Sequence, residues 1–296
     1  MRAWAALLLP ALATAPRVPK RHHVLSATNV QQKQAAPLRI MPLGDSHTAN
    51  DEMCDPTNRY LDANGDEIFH PLNETPAISV FPPGTYFIVS PSAYRDPLAL
   101  LLTDNATDVS FSYVGRNWIC GSNEGYTGMT IEWLAENIAT SAMAVNIPDV
   151  VLLYAGTNDF LQDGVSPTVA GKRMRNLLDA IFAQSPTVNV LLGSVLPLNE
   201  TRCAAAYHGL INLVHDCYVM SNITYFNEHV LPGVVADYSE GHHISLVPMP
   251  TVDDMGSGDY FLDGIHLNVT GYEKVAKHWF AAVQPLLEKS ARAQSR

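Results

Sequence analysis

Short apolar runs alternate along this chain with longer stretches of helical spacing, and that alternation limits the possible folds more than any other feature. The runs at residues 38–43, 109–114, 150–154, 188–195 and 244–247 are mostly apolar rather than alternating in polarity. Strands of a parallel sheet read this way because helices cover both of its faces. Between the runs, apolar residues three and four apart mark helices at residues 93–103, 127–139, 168–183, 226–238 and 271–288. In the last of these Tyr272, Val275, His278 or Trp279, and Val283 share one face. The pattern predicts an α/β fold, a five-stranded parallel sheet between two helical layers.

At 296 residues the chain is long enough to bury one full core. Hydrophobic residues at 47% and charged residues at 16% place it among globular chains. Residues 1–15 read as a secretory leader: Arg2 opens it, residues 3–12 are apolar, and Ala13-Thr14-Ala15 supplies small residues for cleavage. Residues 16–36 lack periodicity and read as a lead-in or pro-segment, which leaves residues 37–296 as one domain. Residues 50–90, rich in Pro, Asp and Asn, break the rhythm as an insertion. Within it Asp62-Ala63-Asn64-Gly65-Asp66 has a calcium-loop look, but such a loop needs Gly at 67 and Glu at 73, where Glu67 and Asn73 stand. Asn64-Gly65 between Tyr60-Leu61 and Ile68-Phe69 reads instead as a hairpin turn.

A secreted chain meets oxidising conditions and glycosylation. Sequons at Asn73, Asn105, Asn199 and Asn222 are expected acceptors; a further one at Asn268 lies close to a candidate site residue and is set aside. None of Cys54, Cys120, Cys203 and Cys217 has C-x-x-C spacing, so disulfides are expected rather than zinc. Several pairings are open, with Cys54–Cys120 and Cys203–Cys217 preferred. A continuous helix over residues 203–217 would separate its ends by about 21 Å, far above the roughly 7 Å limit for bridged Cα atoms. That segment must bend for the second pairing to hold; it lies within residues 199–222, which carry both cysteines and the sequons at Asn199 and Asn222 and read as a surface insertion. The net charge of −11 argues against nucleic acid as a partner. No apolar stretch reaches the length of a membrane span, and a monomer is expected.

Chemistry-bearing residues follow the strands. Gly44-Asp45-Ser46 comes directly after the first, where open α/β sheets bind ligands. By itself this is also a common turn. Asp263-Gly264-Ile265-His266 supplies what a serine nucleophile lacks, a base poised near neutral pH and a carboxylate to orient it. Gly156-Thr157-Asn158-Asp159 ends the third strand, where the Asn158 amide can donate to a developing oxyanion while Asp159 pins the loop. Glu124-Gly125-Tyr126-Thr127-Gly128 follows the second strand, and the Gly128 N–H is a second candidate donor, with a helix starting near Thr127.

Taken in order, Gly44-Asp45-Ser46, Gly128, Gly156-Thr157-Asn158-Asp159 and Asp263-x-x-His266 resemble the four sequence blocks of SGNH (GDSL-like) hydrolases, over residues 38–288. Tyr94-Arg95-Asp96-Pro97-Leu98, Glu124-Gly125-Tyr126-Thr127-Gly128 and the stretch from Asp263 to Tyr272 look most like acetyl esterases of carbohydrate esterase family 3. The resemblance implies a flavodoxin-like three-layer αβα sandwich, with Ser46, Asp263 and His266 as the triad. The Ser46 N–H, the Gly128 N–H and the Asn158 amide would be the oxyanion donors. It further implies O-acetyl groups on a polysaccharide such as xylan as substrate, without metal or organic cofactor. Two features depart from the family: His47 stands where an aliphatic residue is usual, and the 50–90 insertion follows the nucleophile.

Other chemistries fit less well. An α/β-hydrolase needs Gly-x-Ser-x-Gly, whereas the pentapeptide here is Gly44-Asp45-Ser46-His47-Thr48. Two readings stay beside the polysaccharide esterase: a short-chain lipid or generic carboxylesterase, and a glycan-binding protein that has lost turnover.

Overall fold

The computed structural model describes residues 36–49, 92–105, 110–117, 121–208 and 214–294. The leader, the lead-in, the 50–90 insertion with its hairpin, Cys54, Cys120 and Asn73 lie outside them. In chain order the elements are β1 (Leu38–Gly44), α1 (Ser46–Ala49), α2 (Arg95–Asn105), β2 (Phe111–Tyr113), β3 (Glu124–Gly125), α3 (Ile131–Asn137), α4 (Ala139–Val145) and β4 (Val150–Tyr154). There follow α5 (Thr157–Leu161), α6 (Pro167–Gln184), β5 (Asn189–Gly193), α7 (Glu200–Ala206), α8 (Met220–Tyr225), a π-helical turn (Phe226–Val230), α9 (Leu231–Ser239), β6 (His243–Val247), a 3₁₀ turn (Ser257–Asp259) and α10 (Val269–Gln294).

Every strand pairing is parallel, in the order β2-β1-β4-β5-β6, with β3 beside the far end of β1. Among the described residues the five expected strands are present, and β3 makes a sixth. Two residues are too few to show periodicity, so β3 was invisible in the sequence. Alternate residues of each strand feed opposite layers, as a pleat requires. Ile40, Val150, Leu152 and Tyr154 join Leu98 and Leu102 of α2 and Tyr272, Val275 and Trp279 of α10 in one core. Met41, Leu43, Val151, Leu153, Val190 and Leu192 join Ile131 and Leu134 of α3, Leu177 and Ile181 of α6 and Val234 of α9 in the other. Helices thus lie on both faces of the sheet, the three-layer arrangement.

Helix boundaries moved where backbone chemistry outweighs periodicity. The expected 127–139 helix starts at Ile131, because Gly128 turns at φ +77° and the Thr130 hydroxyl caps the helix by accepting Trp133 N–H at 3.3 Å. The expected 226–238 helix opens with the π-helical turn Phe226–Val230, two residues before Pro232, and continues as α9. Proline lacks an N–H and crowds the carbonyl four residues back, and a wider turn relieves both. Cys203 and Cys217 are bridged with Cα atoms 5.7 Å apart, and α7 stops at Ala206 so that the chain can bend back.

Candidate active site

The C-terminal ends of β1 and β4 meet without a side chain between them. A Cβ on Gly44 would stand 1.9 Å from the Tyr154 carbonyl oxygen, so only glycine fits where the chain turns off β1. Asp45 then caps α1: its Oδ1 accepts the His47 N–H at 3.0 Å, and its carbonyl accepts the N–H groups of Thr48 and Ala49. Ser46 is the first residue of that short helix. At the other end of α1 the guanidinium of Arg95, fully buried, donates to the carbonyls of Thr48 at 3.1 Å, Ala49 at 2.9 Å and Gly121 at 2.7 Å. The orphan carbonyls of a single helical turn are satisfied this way.

His266 reaches Ser46 across 220 residues of sequence, its Nε2 lying 2.8 Å from Ser46 Oγ. Its Nδ1 lies 2.5 Å from Asp263 Oδ2. Asp263 Oδ1 accepts the N–H groups of Ile265 at 2.9 Å and His266 at 3.0 Å, which folds the carboxylate back onto its own loop. With Nδ1–H given to the carboxylate, Nε2 carries the lone pair and accepts the Ser46 hydroxyl hydrogen. Burial pushes the Asp263 carboxyl up, but the opposing charge and hydrogen bonds of His266 outweigh it and hold the group below its ordinary value.

The loop carrying His266 is braced on several sides. Phe261 N–H donates to the His266 carbonyl at 2.8 Å, and Asn199 N–H donates to the Gly264 carbonyl at 2.8 Å. Asn268 starts α10: its Oδ1 accepts the Gly271 N–H at 3.2 Å, while its Nδ2 donates to the Gly258 carbonyl at 2.6 Å.

Asn158 and the loop of Gly128 are tied to each other. Asn158 Nδ2 donates one hydrogen to the Met129 carbonyl at 3.0 Å, and its Oδ1 accepts from Gln162 Nε2 at 2.8 Å. The amide orientation is therefore set, with a second Nδ2 hydrogen left to donate. Next to it Asp159 Oδ2 accepts the Ile131 N–H at 2.9 Å, and Oδ1 pairs with Arg173 at 2.8 Å. Asp159 pins the loop as the sequence predicts.

Two buried groups beneath the site have unusual protonation. Desolvation raises the Asp45 carboxyl from 3.8 to about 7, against the pull of the His47 N–H and of His266. Desolvation, helped by the charge of His266, lowers the His47 imidazole from 6.5 to about 3 and keeps it neutral. The His47 ring packs edge-on to Tyr154 and Tyr272, with its centroid 5.5 Å from that of His266. An aromatic wall thus replaces the aliphatic side chain usual after the serine. Among the described residues, no group of three or more His, Cys, Asp or Glu side chains could hold a metal ion.

Sequence reasoning quoted Arg95 and Gly264 within its motifs but missed what each of them holds. Arg95 lies in the expected 93–103 helix, and an arginine among apolar positions on its inward face was the available signal.

Segment 199–222 is more than a surface insertion, since half-buried Asn199 and buried Cys203 support the His266 loop. Asn199 also caps α7 through its side-chain oxygen, Asn222 is exposed on α8, and Asn105 ends α2.

Comparison with known proteins agrees with the fold. Residues 40–279 match the family model described as GDSL-like Lipase/Acylhydrolase. A family 3 carbohydrate esterase of Clostridium thermocellum superposes with a TM-score of 0.59 at 24% identity, over 86% of this chain and 100% of that one. A carbohydrate esterase family 3 structure from Talaromyces cellulolyticus also gives 0.59, at 16% identity over 85% and 99%. At such identities the likeness is one of fold. By sequence the chain is 26% identical over 55% of its length to a putative endoglucanase X of Acetivibrio thermocellus, and 23% identical over 72% to a multidomain esterase of Ruminococcus flavefaciens. It spans 61% and 29% of those two proteins. The match over residues 40–279 places the chain in the GDSL-like lipase/acylhydrolase family.

Proposed function

We propose that the chain is a serine carboxylester hydrolase that removes O-acetyl groups from a polysaccharide such as xylan. The observation that carries this reading is the chain of contacts Asp263–His266–Ser46, at 2.5 and 2.8 Å. His266 takes the Ser46 proton as Oγ attacks the ester carbonyl, and Asp263 stabilises the imidazolium that forms. The oxyanion rests on the N–H groups of Ser46 and Gly128 and on the Asn158 amide. As the tetrahedral species collapses, His266 returns the proton to the leaving alcohol oxygen and an acyl-serine remains. Water, deprotonated by the same imidazole, attacks that ester; acetate leaves and Ser46 recovers its proton.

The polysaccharide part of the reading draws on the fold likeness to two family 3 carbohydrate esterases and on the relation to a multidomain esterase. Short-chain lipid or generic carboxylesters are the second reading, favoured by the lipase/acylhydrolase description of the family. Secretion after removal of residues 1–15, glycans at Asn73, Asn105, Asn199 and Asn222, and a second bridge between Cys54 and Cys120 belong to the same proposal. So do a single catalytic domain over residues 37–296, a monomeric state and a reaction without cofactor. Release of p-nitrophenol from p-nitrophenyl acetate by the wild type and by Ser46→Ala tests the chemistry, and equal rates discard it, leaving the glycan-binding alternative. Acetate release from acetylated xylan, set against p-nitrophenyl esters of increasing length, tests the substrate. Turnover of the short p-nitrophenyl esters without acetate release from acetylated xylan gives the second reading.

A further inference from the structure

Arg116 and Glu124 form an ion pair that the triad chemistry does not use. The Glu124 side chain is fully buried, while that of Arg116 is 32% exposed. Glu124 Oε1 accepts the Arg116 backbone N–H at 2.7 Å and Nε at 3.1 Å; Oε2 accepts Nη2 at 3.0 Å and the Tyr126 hydroxyl at 2.7 Å. The guanidinium also donates to Tyr126 Oη at 3.1 Å and to Ser141 Oγ of α4 at 2.8 Å. One carboxylate and one guanidinium therefore tie together the segment after β2, the strand β3 and the helix α4.

What they hold lies next to the proposed oxyanion donor. Glu124 and Gly125 pair with Leu43 and Gly44 at the end of β1, and Tyr126 N–H donates to the Gly44 carbonyl at 2.9 Å. Met129 N–H donates to the Tyr126 carbonyl at 3.2 Å, closing a turn around Gly128 at φ +77°. The direction of the Gly128 N–H follows from where residues 124–126 are fixed. Stability alone is a weak reason for such a pair, because desolvating both charges offsets most of their attraction. What the pair supplies is a fixed geometry, and alignment matters most for a donor that acts on the transition state.

We propose that Arg116, Glu124 and Tyr126 are positioning residues that aim the Gly128 N–H at the oxyanion of the Ser46 reaction. The inference rests on the esterase reading, so Ser46→Ala is measured first with p-nitrophenyl acetate; absence of Ser46-dependent turnover overturns the esterase reading and this inference with it. Given that turnover, Arg116→Gln in the full chain is expected to lower kcat roughly tenfold or more and to leave KM unchanged. An alkyl boronic acid, whose tetrahedral serine adduct places an oxygen where the oxyanion forms, weakens by the same factor, whereas acetate binds as before. Tyr126→Phe keeps the ring against Trp133 and removes only the hydroxyl, so it gives a smaller loss of the same kind and decides the matter alone should Arg116→Gln not fold. Unchanged kcat, with or without a lower Tm, overturns the proposal, as does a loss carried by KM alone.

Discussion

Gly264 leaves no room for a side chain beside Cys203: a Cβ at position 264 would stand 2.6 Å from the Cys203 backbone nitrogen and 2.5 Å from the Asn199 carbonyl oxygen. Gly264 also turns at φ +72°, two residues before His266. The loop that carries the imidazole is thus seated on α7, and α7 is held by the Cys203–Cys217 bridge.

Gly264→Ala therefore combines a left-handed backbone with a backbone clash. The left-handed region alone costs about 1–2 kcal/mol for a residue with a Cβ, and moving α7 away adds to that. A lower Tm together with a lower kcat is expected. Unfolding and p-nitrophenyl acetate turnover measure the two, and wild-type kcat in Gly264→Ala means that the loop keeps its geometry without α7.

The bridge itself makes a related prediction. It closes a separation of 14 residues, a loop for which chain entropy gives about 3 kcal/mol. The Cys203→Ala/Cys217→Ala double variant should unfold at a lower temperature and lose turnover well below its own Tm. Retained turnover with only a lower Tm places the bridge in stability and not in the alignment of His266.

Asp45 and His47 give opposite pH slopes. Asp45 holds its proton in the folded state up to about 7, against an ordinary value of 3.8. Its contribution to stability is complete below 3.8 and is lost as pH rises toward 7. His47, lowered from 6.5 to about 3, contributes above 6.5 and loses that contribution as pH falls toward 3. Over the shared window the two slopes largely cancel. Asp45→Asn keeps an oxygen for the His47 N–H and removes one slope, so the variant gains on the wild type by about 1.4 kcal/mol per pH unit as pH rises from the ordinary Asp value toward neutrality. Denaturant unfolding at several pH values checks this; a constant difference across the window shows that Asp45 is ionised throughout.

Legibility of this chain follows the range of the interactions. Strands such as Val150–Tyr154 were readable because five successive buried residues leave a mark in composition. The four blocks were readable because each needs particular residue types at short spacing: glycine where the end of β1 meets Tyr154, a carboxylate three residues before His266 in the loop ahead of α10. Glu124–Gly125 could not be read as a strand, since two residues carry no period and their pairing with Leu43 and Gly44 is purely tertiary. Arg95 and Arg116 were hidden for another reason: their partners are backbone carbonyls and a carboxylate brought near only by folding.

Asp263 lends itself to a change that alters chemistry with little change of shape. Asparagine retains an oxygen for the N–H groups of Ile265 and His266. Facing Nδ1, however, its amide nitrogen donates where the carboxylate accepts, and the imidazole shifts to the tautomer with hydrogen on Nε2, which removes the base that the proposed mechanism gives Ser46. Loss of kcat by roughly 10⁴-fold is expected, the size of effect seen when a triad carboxylate is made neutral, while KM and Tm change little. Turnover at several pH values completes the measurement: if Asp263 serves only to hold the loop, Asp263→Asn keeps most of the wild-type kcat at neutral pH.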